Sequence, residues 1–302
     1  MLDICLLGTG GMLPLPNRAL TSMMLRYNGH SLLIDCGEGT QNQIRLCGWS
    51  FKDIDLICFT HFHADHISGL PGLLLTIGNA ERTEPLKIAG PKGLIRVVNA
   101  LRIIAPGLPF EIEFVEFEEP EVKLDFYGLR IEAYKVNHSV ICYGYTMMLD
   151  RLGLFNVEAA KALNLPVQYW GRLQHGEVVE YEGKTYTPDM VMGEARKGLK
   201  VTYCTDTRPT DNIKAHAADS DLFICEGMYG EEDKLDDAKD KKHMTMQEAC
   251  VIANEAKVKE LWLTHYSPAT VRPQEFQPMV SKLFEKGFIC RDGRKTELKF
   301  ED

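Results

Sequence analysis

The chain has 302 residues, 45% of them hydrophobic and 25% charged, and its formal net charge at pH 7 is −9. This is ordinary globular composition that excludes disordered and fibrous proteins, and the length is sufficient for one large domain with a full core. The acidic balance argues against a general nucleic-acid binder, although it leaves room for a local basic patch.

In chain order, short apolar runs rich in β-formers alternate with helical stretches. Strands are predicted at 4–7, 22–27 and 31–34, and Asn28-Gly29 between the last two is a strong hairpin signal. A helix at 40–46 follows, and then a nearly continuous apolar strand at 54–59, of the type that is buried on both faces. The remaining elements before residue 150 are a helix at 91–104 and strands at 112–117, 129–136 and 143–149.

Residues 150–198 do not continue this alternation of strands and helices. They contain a predicted short helix at 156–163, several glycines and a predicted small hairpin around Glu182-Gly183. This segment is predicted to be an arm inserted into a single domain that spans residues 1–302. Tyr169 and Trp170 are expected to be exposed, where they could stack on RNA or pack on a partner subunit. After the arm the pattern resumes, with strands at 199–204, 222–225 and 258–263 and helices at 245–256 and 273–285.

Membrane segments and disulfides are not expected. The most apolar stretch, 70–77, is short and interrupted by Pro71 and Gly72, and the N terminus has no basic segment before an apolar run. The nine cysteines are scattered singly, without a Cys-x-x-Cys pair, so they are predicted to be reduced and mostly buried. A cytoplasmic protein without an organic cofactor is therefore predicted.

A dense group of metal-binding residue types follows the buried strand at 54–59. It consists of His61, His63, Asp65 and His66. Imidazoles and carboxylates are the usual ligands of catalytic zinc, and a loop at the end of a core strand gives such ligands rigid support. In an extended loop His61 and His63 point the same way and could share one ion, while Asp65 and His66 turn toward a second.

Two ions need more ligands than one loop supplies. His138, Asp206 and His265 each follow a β-rich run, as the histidine cluster does. We predict that His138 completes the first site, that His265 completes the second and that Asp206 bridges both. Zinc suits this ligand set, although manganese or iron would also fit.

The segment from Thr60 to His66, Thr-His-Phe-His-Ala-Asp-His, resembles the signature of the metallo-β-lactamase fold. Within that fold the chain resembles the ribonuclease Z family over nearly its whole length. Segments that carry this resemblance are Leu7-Gly8-Thr9-Gly10, Asp35-Cys36-Gly37-Glu38-Gly39-Thr40-Gln41, Gly69-Leu70-Pro71-Gly72-Leu73, Gly90-Pro91-Lys92-Gly93, Asp206-Thr207-Arg208 and Leu263-Thr264-His265-Tyr266-Ser267. The resemblance implies an αβ/βα sandwich, a flexible arm that grips the tRNA elbow, and a homodimer that trims the 3′ trailer from precursor tRNA.

The resemblance also implies a mechanism. Two ions would share a water, lower its pKa and supply a hydroxide for in-line attack on phosphorus. Asp65 would both bind metal and orient the nucleophile. His243 would protonate the leaving 3′ oxygen, held in one tautomer by Glu226. The other histidines, His30, His175 and His216, are predicted to be structural or on the surface.

Two alternatives remain open at the level of the sequence. The arm lacks the Gly-Pro step of the family, and from 151 to 200 it carries seven Lys and Arg against six Asp and Glu. With the acidic net charge, this favours a small-molecule phosphodiesterase or an arylsulfatase on the same dinuclear site. A metal-binding scaffold without activity is a further alternative, although the full ligand set argues against it.

Overall fold

The structure is a computed structural model that describes residues 1–301. In chain order the strands are β1 (Leu2–Gly8), β2 (Ser22–Tyr27), β3 (His30–Ile34), β4 (Ile54–Cys58), β5 (Leu86–Pro91), β6 (Ile112–Phe117), β7 (Glu121–Phe126), β8 (Leu129–Lys135), β9 (Tyr143–Arg151), β10 (Val179–Tyr181), β11 (Lys184–Tyr186), β12 (Arg196–Cys204), β13 (Leu222–Glu226), β14 (Leu261–Thr264), β15 (Gly287–Ile289) and β16 (Arg294–Leu298).

The α-helices are α1 (Thr40–Cys47), α2 (Ala64–Ile67), α3 (Leu70–Asn79), α4 (Leu94–Leu101), α5 (Val157–Ala162), α6 (Trp170–Gln174), α7 (Asp211–Ala217), α8 (Leu235–Lys241), α9 (Met246–Glu255) and α10 (Gln277–Leu283). Short 3-10 turns lie at Arg102–Ile104, Val167–Tyr169, Pro188–Met190, Glu232–Lys234 and Pro273–Phe276. Among the described residues, no helix is long and apolar enough to cross a bilayer.

Two mixed sheets of seven strands dominate the fold, and β10 and β11 form a separate hairpin. The first sheet has the order β16-β1-β2-β3-β4-β5-β6, antiparallel from β16 to β3 and parallel from β3 to β6. The second has the order β15-β14-β13-β12-β9-β8-β7, parallel from β12 to β15 and antiparallel from β7 to β9.

The central strands of each sheet are buried on both faces. In β1, Cys5 and Leu7 pack with residues of α1, α3 and α4, whereas Ile4 points to the opposite face and is also fully buried. In β13, Phe223 packs with α7, α9 and α10, and its neighbour Ile224, on the other face, is fully buried. Helices thus cover the outer faces and the inner faces cover each other, which confirms the predicted αβ/βα sandwich.

The chain divides into two compact units. The first comprises Met1–Met148 and Lys200–Lys299, and the second comprises Leu149–Leu199 with the last residues of the chain. The second unit has a small core of its own, formed by Ala160, Leu165, Leu173, Val179, Tyr186 and Val191. Its first helix, α5, begins as predicted at Asn156, whose side chain accepts a hydrogen bond from the Ala159 amide.

The two aromatic side chains that were expected to be exposed in the arm are half-buried in the second unit. Trp170 packs against Phe155 with ring centroids 5.6 Å apart, and its indole N–H donates to the Leu165 carbonyl at 2.8 Å. Tyr169 packs against Tyr181 at 5.3 Å. The expectation was wrong because this arm is large enough to bury aromatics in its own core.

Some elements differ from their predictions. The helix predicted at 91–104 begins only at Leu94, because Pro91 ends β5 and Gly93 has a positive φ of 99°. The strand predicted at 258–263 begins at Leu261. Strands β5, β7, β15 and β16 and helix α3 had no sequence prediction. In β7 the alternation of exposed and half-buried residues gives only a weak apolar signal.

Candidate metal centre

The predicted site residues meet at one edge of the sandwich. They follow the carboxyl ends of β4, β8, β12 and β14, a position where function concentrates in sheets of this kind. Asp206 and His265 have positive φ angles of 49° and 57°. Such left-handed backbone is uncommon for residues other than glycine and costs on the order of 1–3 kcal/mol, so the surrounding structure holds both residues in place.

Three histidines and Asp206 form the first half of the cluster. Nε2 of His138 lies 3.4 Å from Nδ1 of His63 and 3.7 Å from Oδ2 of Asp206. Nε2 of His61 also lies 3.7 Å from that oxygen. The donor atoms of His61, His63, His138 and Asp206 all lie within 4.8 Å of one another. This half therefore offers three imidazoles and one carboxylate to a single ion.

Asp65, His66 and His265 form the second half. Nε2 of His66 and Nε2 of His265 are 3.3 Å apart, and both lie 3.1 Å from Oδ1 of Asp206. Oδ2 of Asp65 is 3.4 Å from His265 and 3.6 Å from His66. Asp206 therefore presents one carboxylate oxygen to each half, which is the geometry that a bridging ligand requires.

The chemistry of the cluster suits a bound metal ion, because its donor atoms do not all satisfy one another by hydrogen bonding. Nε2 of His61 is buried without a hydrogen-bond partner in the described structure, and such an orphaned polar atom is costly in a native fold. Burial first, and then the neighbouring His66, hold the pKa of His61 well below its usual value, so its imidazole is neutral. A neutral imidazole and an ionised carboxylate are the forms that bind zinc.

The predicted proton donor lies beside this cluster. Nδ1 of His243 is 3.0 Å from Oε2 of the fully buried Glu226. Burial lowers the pKa of His243, but the Glu226 carboxylate outweighs burial and raises that pKa to about 9. The other oxygen of Glu226 accepts from the Thr207 amide at 2.5 Å. Both oxygens are thus committed, and the imidazole is held in one orientation.

The whole chain is similar to known proteins. It is 60% identical over 302 residues to "Ribonuclease Z" of Lachnospira eligens, covering 100% of this chain and 99% of that one. The protein of the same name from Agathobacter rectalis is 57% identical over 302 residues and is covered completely. The chain belongs to the ribonuclease Z family.

Matches to family models and solved structures agree on the fold of this ribonuclease Z family member. Residues 177–266 match the family model described as "Beta-lactamase superfamily domain", and residues 2–102 match that described as "Anti-Pycsar protein Apyc1". Human tRNase Z, short form, has a TM-score of 0.68 at 22% identity and covers 99% of this chain and 100% of its own. The metallo-β-lactamase fold protein YhfI from Bacillus subtilis has a TM-score of 0.70 at 20% identity, with 98% of each chain covered.

Asp35 belongs to the site of this family member and had no predicted role. Its Oδ2 lies 2.8 Å from Nδ1 of His66, and its Oδ1 accepts from the Thr60 amide at 2.8 Å. Burial lowers the pKa of His66, but Asp206 and Asp35 outweigh burial and raise it well above its usual value. The hydrogen bond to Asp35 fixes the orientation of the His66 ring, as carboxylates behind metal-binding histidines do.

Loss of the Asp35 carboxylate is predicted to weaken metal binding. In Asp35→Asn, Nδ1 of His66 loses its charged partner, and we expect metal affinity to fall by about 10- to 100-fold. Competition with a chromogenic chelator measures this directly. Asp53→Asn, at an exposed position close by in the chain, is the matched control and should retain the affinity of the unmodified protein. Equal affinities in the two variants would contradict the role of Asp35.

Further contacts hold the predicted site residues in place. The Met12 amide donates to Oδ2 of Asp65 at 2.6 Å, and a Cβ atom on the preceding Gly11 would lie 2.7 Å from the His265 ring, so only glycine fits there. The guanidinium of Arg208 pairs with Glu248 and also donates to the His243 carbonyl. The glycine turn was visible in the sequence, whereas these partners were not.

The three remaining histidines lie outside the cluster. His30 stacks on Tyr127 with ring centroids 3.4 Å apart and contacts Asp55. His216 stacks on Tyr134 at 3.9 Å. His175 lies in the second unit, where Nδ1 contacts the Gly171 carbonyl. Each of the three therefore contacts a nearby side chain or carbonyl. Among the described residues, none of them belongs to the cluster of candidate metal ligands.

Proposed function

We propose that this protein is a metal-dependent endoribonuclease that hydrolyses one phosphodiester bond to remove the 3′ trailer from precursor tRNA. The observation that carries the proposal is the two-part cluster around Asp206, in a chain that matches proteins named "Ribonuclease Z" over its whole length. The proposed substrate would be met in the cytoplasm, where we place the enzyme.

Two zinc ions are the proposed cofactors, with manganese or iron as fitting replacements. His61, His63 and His138 would hold one ion, Asp65, His66 and His265 the other, and Asp206 both. When bound, such a pair of ions supplies an activated water at neutral pH and neutralises charge on the phosphate. Asp65, fixed by the Met12 amide, would orient the attacking water.

His243 would give the proton to the leaving 3′ oxygen. Proton transfer by a positioned imidazole contributes about 10²- to 10⁴-fold to such reactions. The imidazole is suited to this role because Glu226 favours its protonated form and holds it beside the metal cluster, with ring centroids of His243 and His265 5.6 Å apart. Arg208 fixes the backbone of His243 from behind.

A recess beside the cluster suits a nucleotide. It has a volume of about 380 Å³ and shares His63 with the metal centre. Its walls are apolar, formed by Phe62, Pro91, Val140 and Ile141, with Lys92 as the cation. A base could pack on the aromatic and aliphatic walls while the ammonium contacts a phosphate. This combination supports a polynucleotide as the substrate.

The second unit is proposed to be the arm that binds the tRNA elbow, and the enzyme is proposed to act as a homodimer in which the arm of one subunit presents the substrate to the other. The support is the separate small core of the unit, which lets it stand as an independent element. Phe155 and Met192, near the two ends of this segment of the chain, form an isolated antiparallel bridge.

The direct test is incubation of the purified, zinc-loaded protein with a labelled precursor tRNA that lacks an encoded CCA end. We expect a single cut just after the discriminator base. The same RNA without its elbow should be cut much more slowly if the second unit binds there. An intact precursor, with small phosphodiesters still hydrolysed, would contradict the proposed substrate and favour the small-molecule alternative.

The homodimer is tested by mixing two defective proteins. One carries Asp206→Asn, and the other has residues 156–191 replaced by Gly-Gly between the bridged Phe155 and Met192. If an arm serves the site of its partner, the mixture should recover elbow-dependent cleavage that neither protein shows alone. Failure to recover activity in a mixture shown to contain heterodimers would contradict this arrangement.

The small-molecule phosphodiesterase and the arylsulfatase are less well supported than the ribonuclease, because the relatives of high identity are named for the ribonuclease. The relatives at 60% and 57% identity carry the name "Ribonuclease Z". The acidic net charge that favoured these alternatives is a property of the whole surface, whereas the recess beside the cluster carries a lysine.

A further inference from the structure

Two cysteines of the first unit lie in direct contact, far apart in sequence. Sγ of Cys5, in the middle of β1, is 3.2 Å from Sγ of Cys47, the last residue of α1. A disulfide has a sulfur–sulfur distance of about 2.05 Å, so an approach of roughly 1.2 Å would join them. We propose that Cys5 and Cys47 are a reversible dithiol–disulfide site that low-molecular-weight disulfides oxidise.

The two thiols differ in solvent exposure, and this difference determines which of them reacts first. Cys47 is half-buried, and the other eight cysteines are buried. Burial, together with the hydrogen bond to Cys47, raises the pKa of Cys5, so its thiol is a poor first nucleophile. Cys47 is therefore the sulfur that a reagent from solvent reaches first, and Cys5 is the sulfur that resolves the adduct.

Lys295 places a positive charge at the pair. Its residue faces Cys5 across the β1–β16 ladder, and its ammonium donates to the Cys47 carbonyl at 2.6 Å. The same ammonium lies 5.6 Å from the centre of the Trp49 ring, which helps to hold it there. This fixed cation lowers the pKa of Cys5 against the opposing effect of burial, which favours the thiolate that Cys5 needs for the second step of the exchange.

The exchange balances with glutathione disulfide as the oxidant. The Cys47 thiolate attacks one sulfur of the reagent, forms a mixed disulfide and releases one glutathione. The Cys5 sulfur then attacks the Cys47 sulfur and releases the second glutathione. The two thiol protons go to the two released glutathiones, and the protein loses two electrons to the reagent.

The bond would tie β1 to the end of α1 across 42 positions of the sequence. Closing a loop of this size restricts the unfolded chain and stabilises the native state. None of the residues in the metal cluster is a cysteine. Oxidation is therefore expected to strengthen the first unit while leaving cleavage of phosphodiesters intact.

A neighbouring pair provides an internal comparison. Cys204 and Cys225 are register partners in β12 and β13, and both are fully buried in the core that α9 covers. These two thiols are close to each other, but a reagent in the solvent cannot reach either of them. If access governs the reaction as proposed, this pair stays reduced under conditions that oxidise Cys5 and Cys47.

The experiment treats the zinc-loaded protein with glutathione disulfide and then maps disulfides by peptide mass analysis without reduction. We expect loss of two free thiols, a Cys5–Cys47 linked peptide, and reversal by dithiothreitol. The melting temperature should rise by about 5 °C or more, and hydrolysis of a small phosphodiester should change by less than about twofold, since the bond lies outside the cluster.

Cys47→Ser, at a half-buried position, should lose no thiol pair and show no rise in melting temperature. Cys250→Ala, a buried thiol removed elsewhere, should still form the Cys5–Cys47 link. A glutathione adduct that persists on Cys47, a disulfide between subunits, or a linked Cys204–Cys225 peptide would each overturn the proposal.

Discussion

Asp206→Asn is expected to abolish cleavage of precursor tRNA, lowering kcat/KM by about 10³-fold or more. Oδ2 of Asp206 faces His61 and His138, in the first half of the cluster. Oδ1 faces His66 and His265, in the second half, so the carboxylate contacts both halves. An amide in its place is neutral and can offer only one oxygen. One half of the cluster then loses its shared anionic ligand.

Metal content and activity should be measured on the same preparations. We expect Asp206→Asn to retain less than the full complement of ions by elemental analysis after exhaustive dialysis. Asp211→Asn is the matched control, since the Asp211 carboxylate lies close by in the chain and is 98% exposed. Full activity in Asp206→Asn with metal retained would mean that this carboxylate does not bridge the two halves.

His243→Ala is expected to lower kcat for precursor tRNA by about 10²- to 10⁴-fold while leaving the metal content unchanged. The alkoxide that leaves from RNA is strongly basic and needs the proton that the His243–Glu226 pair would supply. A nitrophenolate leaves without that help. The same variant should therefore lose far less activity on bis(p-nitrophenyl) phosphate than on RNA.

The contrast between the two substrates distinguishes proton donation from a structural role. A variant with a disturbed metal centre would lose activity equally on both. His216→Ala removes a histidine outside the cluster and should change neither rate by more than about twofold. Equal losses on RNA and on the nitrophenyl ester in His243→Ala would contradict the assignment of His243 as the proton donor.

The two predictions about the arm illustrate the limits of local patterns. The helix that begins at Asn156 was predicted because a capping side chain acts within one turn, and it is present in the structure. The exposure of Tyr169 and Trp170 was predicted wrongly, because burial depends on Phe155 and Tyr181, which lie elsewhere in the arm. A local sequence pattern cannot predict which side chains, distant in the sequence, will pack against a given residue.

By itself the sequence determined the fold family, the cluster from His61 to His66 and the strand-end positions of His138, Asp206 and His265. The strand-end positions follow from short-range order, since an apolar strand and the residues just after it are adjacent in the chain. The fold family follows from the resemblance of several segments to known proteins. The tertiary structure decided which carboxylate oxygen faces which histidine, that Asp35 lies behind His66, and that Cys5 touches Cys47. Those contacts join residues 31 to 200 positions apart, and only packing of the two sheets and their helices sets such distances.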